Sequence, residues 1–194
     1  PLQLSSAYVA LANDGELLEP TLVKEIRAPD GQVLFRRERR VVRRVISPAV
    51  ARRVRTMLLG VVEGGTGMKA DLGSFAVAGK TGTARRTVNG RYAAGQHIPT
   101  FVGLFPADHP QFVILVKIDN PKGAYVGALT AAPVTKAVLE AALASRNAAL
   151  NRSGLAASRL ERAPDSARAT ATAAAATDAA IAPSLGGAAV AGAE

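Results

Sequence analysis

Between Pro99 and Ile118 the chain carries two apolar, β-prone runs separated by one turn signal, and no other stretch limits the fold as much. Thr100-Phe-Val-Gly-Leu-Phe105 is bracketed by Pro99 and Pro106, and Ala107-Asp108-His109-Pro110 reads as a turn. Phe112-Val-Ile-Leu-Val-Lys-Ile118 is apolar enough to lie centrally in a sheet, and Asp119-Asn120-Pro121-Lys122-Gly123 stops it. Upstream, Phe75-Ala-Val-Ala-Gly-Lys-Thr-Gly-Thr-Ala84 reads as a further strand, and Asn89-Gly90 within Thr87–Tyr92 supplies a hairpin turn behind it. The pattern predicts three consecutive antiparallel strands.

Helical signals surround this sheet. Leu2, Leu4, Tyr8, Val9 and Leu11 suit a buried helix that ends at Asn13-Asp14-Gly15, where Asn and Gly favour a left-handed cap. Thr21–Ala28 and Gln32–Phe35 form a hairpin on the turn Pro29-Asp30-Gly31. Ser47-Pro48 is a helix start, with Val50, Val54, Met57, Leu58, Val61 and Val62 at helical spacing and a stop before Gly64-Gly65. A last, alanine-rich helix runs from Ala131-Ala132-Pro133-Val134 to about Ser145. The expected class is α+β, with helices packed against one face of an antiparallel sheet. Residues 1–147 form the folded part, and 148–194, rich in alanine and devoid of aromatics, read as a disordered tail.

Composition narrows the function classes. The chain has 194 residues, 48% hydrophobic and without tryptophan, enough for one moderate core. With no cysteine it has no disulfide and no Cys-ligated metal. His97 and His109 read as loop residues and lack metal-ligand spacing to any partner, and Asp108 and Asp119 read as turn residues, so no metal or cofactor is expected. The net charge of +9 is concentrated in Arg36, Arg37, Arg39, Arg40, Arg43, Arg44, Arg52, Arg53 and Arg55, opposed within the stripe by Glu38 alone. Interleaved aromatics and a nucleic-acid-binding motif are both missing there, which argues against nucleic acid. A solvated face, or contact with anionic headgroups or an acidic partner, fits better. No apolar run approaches the roughly 20 residues that cross a bilayer.

Lys80-Thr81-Gly82-Thr83 carries the chemistry. A phosphate loop is excluded by spacing, since its first glycine would fall at Ser74 and no helical period follows Thr81. A bare K-[ST]-G tripeptide is common on solvated strands, so its flanks decide. The element resembles the K-T-G signature of serine penicillin-recognising enzymes. In family order around it stand Val61-Val62-Glu63-Gly64-Gly65-Thr66-Gly67, Thr100–Pro106, Pro121-Lys122-Gly123 and Ala131-Ala132-Pro133. From Pro1 to about Leu143 the chain is similar to the C-terminal part of a class B penicillin-binding protein, a peptidoglycan D,D-transpeptidase, and more to the division type than to the elongation type.

The resemblance implies Lys80 and Thr83 as catalytic residues and Thr81, Gly82 and Thr83 as the substrate-binding edge. Thr81 and Thr83 face one side of a strand, their hydroxyls converging on a substrate carboxylate, while Lys80 reaches from the other side towards serine motifs. The Thr83 N–H would be one oxyanion donor, and Gly82 would let substrate approach the backbone. Implied partners are peptidoglycan stem peptides, β-lactams and membrane proteins of cell division; the implied place is the periplasmic face of the bacterial inner membrane. The nucleophile motif S-x-x-K is missing from the chain, and the only S-x-N, Ser145-Arg146-Asn147, follows K-T-G where the family places it before. It reads as a chance match at a helix end. Opening at Pro1, the sequence is expected to be a C-terminal fragment, inactive alone, of a longer enzyme. A related serine β-lactamase or D,D-carboxypeptidase, and a non-catalytic basic interaction module, are the alternatives.

Overall fold

A computed structural model describes residues 1–145 and 147–157. Its centre is a three-stranded antiparallel sheet in the order β5 (Ala78–Val88), β6 (Arg91–Phe105), β7 (Phe112–Lys117). The β5–β6 hairpin turns at Asn89 and Gly90, whose φ of 49° and 76° suit a primed turn. Both strands run further than expected, β5 to Val88 and β6 from Arg91, with Pro99 inside the strand opposite Thr83. Proline is tolerated there because its carbonyl faces β7, accepting from Ile118 N at 3.0 Å. The missing N–H therefore falls at the end of the β6–β7 ladder and removes no bond to β5. β7, expected in the middle, is an edge; β6 is central. The strand is apolar because helices cover both faces of the sheet, whatever its place in the order.

Those faces hold two cores. On one, α3 (Ala131–Ala144) packs Leu139 over Phe101, Phe105 and Val77; on the other, α1 (Leu2–Ala12) and α2 (Pro48–Gly64) pack Tyr8, Leu11, Val54 and Leu58 against Ala76, Ala78 and Leu104. The expected single covered face is thus two. Serine 47 caps α2, its hydroxyl accepting from Val50 N at 3.3 Å with Pro48 at the first turn, an arrangement that stabilises a helix by about 1 kcal/mol. Helix α1 is less buried than its sequence suggests: only Ala10 is fully covered, and Leu2 and Leu4 are exposed. Its left-handed residues are Asp14 and Gly15 rather than Asn13, whose side chain instead donates to Val9 O at 2.9 Å. A Cβ on Gly15 would overlap the Ile46 carbonyl.

The arginine stripe contains a strand that its charge concealed. β4 (Val41–Arg44) pairs antiparallel with β1 (Glu16–Leu18), and β2 (Glu25–Arg27) pairs with β3 (Val33–Arg36) between them. Glu16 binds Arg39 and Arg44, both at 2.6 Å, Glu19 binds Arg37 and Arg40 at 2.7 and 3.2 Å, and Glu25 binds Arg27 and, at 2.7 Å, Arg36. Buried Arg55 donates to Leu11 O at 2.7 Å and to Asp14 at 2.9 Å, tying α2 to the end of α1. Much of the stripe is therefore neutralised within the chain, by glutamates that lie outside it in sequence.

Hydrogen bonding from Arg39 holds the Glu16 carboxyl below its ordinary value, and bonding from Arg27 and then Arg36 does the same for Glu25. A lowered carboxylate contributes stability that is whole above the ordinary value of 4.5 and is lost as pH falls through the lower folded value. Carbon-detected titration of the two carboxyls should give midpoints below 4.5, with the β1–β4 and β2–β3 pairings loosening over the same acid range. Midpoints at or above that value would contradict the ion-pair lattice.

Beyond α3 the packed body continues. Arg152 donates to Leu143 O and Ser145 O at 3.0 and 2.7 Å, and Asn151 N donates to the Gln111 side chain at 2.7 Å. Helix α4 (Arg152–Ala157) places Leu155, 4% exposed, in the same core as Phe101, with Leu150 packed beside it. Leu150 and Leu155 thus anchor to this core a segment just past position 147 whose alanines suggest no anchor. The rest of the expected tail, 158–194, lies outside the described residues.

Candidate active site

Strand β5 is an edge of the sheet, so Lys80–Thr83 stands with one side of its backbone unpaired by any other strand among the described residues. Thr81 and Thr83 share the α3 face with Phe101, as alternation requires, and Lys80 and Gly82 take the other. The Lys80 side chain is exposed, but its ammonium curls back round the edge, 3.1 Å from Thr81 O and 3.4 Å from Thr81 Oγ1. Thr81 Oγ1 in turn lies 2.8 Å from the Thr66 hydroxyl. The two β5 hydroxyls have separate partners: Thr83 Oγ1 accepts from Gly127 N at 3.3 Å. An ammonium and two hydroxyls thus gather at Thr81, with a third hydroxyl one pleat further along.

Glycines make this closeness possible. A Cβ on Gly82 would lie 2.5 Å from Thr100 Oγ1, so cross-strand packing requires glycine there. A Cβ on Gly127 would overlap the Thr100 carbonyl and lie 2.7 Å from Gly82 O, so the segment carrying it rests directly on the site strands. The loop after α2 is drawn in by Gly67 N donating to Val61 O at 2.8 Å, which brings Thr66 over Thr81. Thr66 was not among the expected site residues. Its signal was the Gly65-Thr66-Gly67 triplet, a hydroxyl between two residues that let backbone approach backbone.

Ser145 and Asn147 are apart from this chemistry: Ser145 ends α3, and its hydroxyl accepts from Asn147 N at 3.3 Å in a local turn. His109 lies in the β6–β7 turn as expected, whereas His97 lies within β6, its ring stacked on Tyr125. No group of three or more His, Cys, Asp or Glu among the described residues is placed to hold a metal ion. No described helix is long and apolar enough to cross a membrane.

The architecture is that of penicillin-binding transpeptidase domains. It matches penicillin binding protein 3 of Mycobacterium tuberculosis in complex with aztreonam, with a TM-score of 0.65 and 34% identity, over 74% of this chain and 34% of that one. The transpeptidase domain of penicillin-binding protein 3 from Burkholderia pseudomallei matches with a TM-score of 0.60 and 36% identity, over 75% and 42%. Residues 1–140 match the family described as penicillin binding protein transpeptidase domain, and the chain belongs to that family. A curated relative, "Probable peptidoglycan D,D-transpeptidase PenA" of Neisseria flavescens, is 41% identical over 144 residues, 73% of this chain and 33% of the relative. Stage V sporulation protein D of Bacillus subtilis is 35% identical over 145 residues, 74% and 22%. The chain spans about a fifth to a third of the length of these curated relatives.

Proposed function

We propose that this chain supplies the K-T-G-T edge of a serine D,D-transpeptidase that cross-links peptidoglycan during septal wall synthesis. The observation that carries the reading is the Lys80, Thr81 and Thr66 cluster at an open sheet edge, within a domain of the penicillin-binding family. In this reading Lys80 and Thr83 are catalytic, and Thr81, Gly82 and Thr83 bind the substrate. A serine hydroxyl on a part of the enzyme outside this sequence attacks the carbonyl between the two terminal D-alanines of a stem peptide. The C–N bond breaks, the departing D-alanine takes up a proton, and an acyl-serine ester remains. An amine of a neighbouring stem peptide then attacks the ester, forming the cross-link and returning the proton to serine.

In this reading each residue has a distinct part. The Lys80 ammonium supplies positive charge beside the hydroxyls and reaches towards the serine. Thr81 and Thr83 present hydroxyls to the peptide's terminal carboxylate, and the Thr83 N–H meets the developing oxyanion; losing such a donor costs about 100- to 1,000-fold in rate. β-Lactams inhibit by taking the place of the D-alanyl peptide, and one of the matched structures holds aztreonam. The reading places the catalytic domain on the periplasmic face of the bacterial inner membrane among cell-division membrane proteins. The arginine lattice, satisfied largely by Glu16, Glu19 and Glu25, lends little support to a basic interaction module.

Fluorescent penicillin tests the proposal. The whole protein that carries this chain should be labelled covalently, with label lost to competing β-lactam, and this chain alone should take none. A whole protein that is folded yet unlabelled would overturn the reading, as would a label on the isolated chain.

A further inference from the structure

His97 has no part in the chemistry above, yet it grips one segment twice. It lies in β6 directly opposite Arg85 of β5, one pleat beyond the Thr83–Pro99 pair. Its carbonyl accepts from Asn120 N at 2.9 Å, where the chain leaves β7 in a left-handed turn. Its ring lies flat on Tyr125, centroids 4.3 Å apart and planes inclined by 22°. Between these two points Lys122, Gly123 and Ala124 are exposed, and Tyr125 itself is 50% exposed, so burial does little to hold the segment down.

Two residues beyond the stacked tyrosine, Gly127 N donates to Thr83 Oγ1 at 3.3 Å, and Gly127 O accepts from Ala132 N at 2.9 Å in the first turn of α3. The stretch from Asn120 to Ala132 is thus fastened to His97 at its start, to Thr83 near its end and to α3 beyond. Flanking these points, Asp119 pairs with Arg86 at 3.5 Å. The His97 Nδ1 atom is buried without a hydrogen-bond partner among the described residues, so at this atom the fold makes use of a flat ring rather than of a nitrogen.

We propose that His97 is a positioning residue: its stack on Tyr125 holds the 120–130 segment on the sheet so that the Gly127 amide keeps the Thr83 hydroxyl fixed at the reactive edge. The role in catalysis rests on the reading of Lys80–Thr83 given above; the clamp itself does not. A flat aromatic ring of any kind at position 97 should preserve it, and a side chain without a face should not.

Amide hydrogen exchange of the 194-residue chain reads the clamp directly. In His97→Ala and in Tyr125→Ala, exchange at Gly127 should rise about three- to tenfold, the range that an aromatic pair of ordinary strength sets. Exchange at Val102 in mid-sheet should stay unchanged, and His97→Phe should restore protection at Gly127. In the whole protein, His97→Ala should slow penicillin acylation by about tenfold and His97→Phe should recover most of it. Unchanged exchange at Gly127, an equal rise across the sheet, or failure of phenylalanine to rescue would each overturn the clamp while leaving the transpeptidase reading intact. Should His97→Ala not fold, Tyr125→Ala decides, since it removes the same stack from the exposed side. A clamp that responds without any change in acylation overturns the positioning role, and a wild-type protein that takes no penicillin overturns the functional reading and the role with it.

Discussion

Valine in place of Gly79 is expected to destabilise the chain by about 3 kcal/mol, the upper end of what overpacking a core costs. Gly79 is buried in β5 opposite Gly103, immediately before Lys80. A Cβ there would enter the Phe101 ring and lie 2.7 Å from the Val102 carbonyl. Neither neighbour has room to yield. Phe101 is fully buried, with Gly67 and Gly103 so near that a Cβ on either would stand 3.3 Å from its ring. The carbonyl belongs to the central strand. Urea unfolding of Gly79→Val beside the parent chain measures the loss. Gly60→Ala is the control, since a Cβ at Gly60 in α2 meets nothing within 4 Å, and there alanine should stabilise by about 0.5–1 kcal/mol. A Gly79→Val chain as stable as the parent would mean that the ring slot is not as drawn.

Lys80→Ala should do the reverse, leaving the fold intact and removing the chemistry. Its side chain is exposed and, among the described residues, bonds to the adjacent Thr81, so unfolding midpoints should match the parent. In the whole protein, penicillin acylation should slow by about 100-fold or more, the usual effect of deleting an electrostatic contact made to the reacting centre. Time-resolved labelling with fluorescent penicillin, with stability measured on the same samples, separates the two effects. Acylation within about threefold of the parent would remove Lys80 from the mechanism.

What the sequence made legible was the sheet and the strand that carries Lys80–Thr83. Asn89-Gly90, the apolar runs on either side of it and the stop after Ile118 are local signals, and local signals suffice for consecutive hairpins. What stayed hidden depended on distance. β4 reads as a charge run because its pairing with β1 and the ion pair of its Arg44 with Glu16 involve residues more than a helix away in sequence. Leu150 and Leu155 sit among small residues, and only the core under α3 reveals them as anchors. At the site, alternation placed Thr81 and Thr83 on one face correctly. It could not supply Thr66 or Gly127, which arrive from loops. Nor could it give His97 a strand, since Pro99 two residues on looks like a boundary until its carbonyl is seen to face β7.

The nested pairs in the first third of the chain bear on how such a protein can vary. β1 and β4 close the base of an excursion that holds the β2–β3 hairpin, and the chain leaves and re-enters the body at neighbouring points between α1 and α2. A loop closed at its base pays little entropy for added length. Insertions, deletions or a wholly different hairpin tip between Leu18 and Val41 can therefore accumulate without moving either helix, which makes this stretch a natural place for related chains to diverge in length while the Lys80–Thr83 edge is kept.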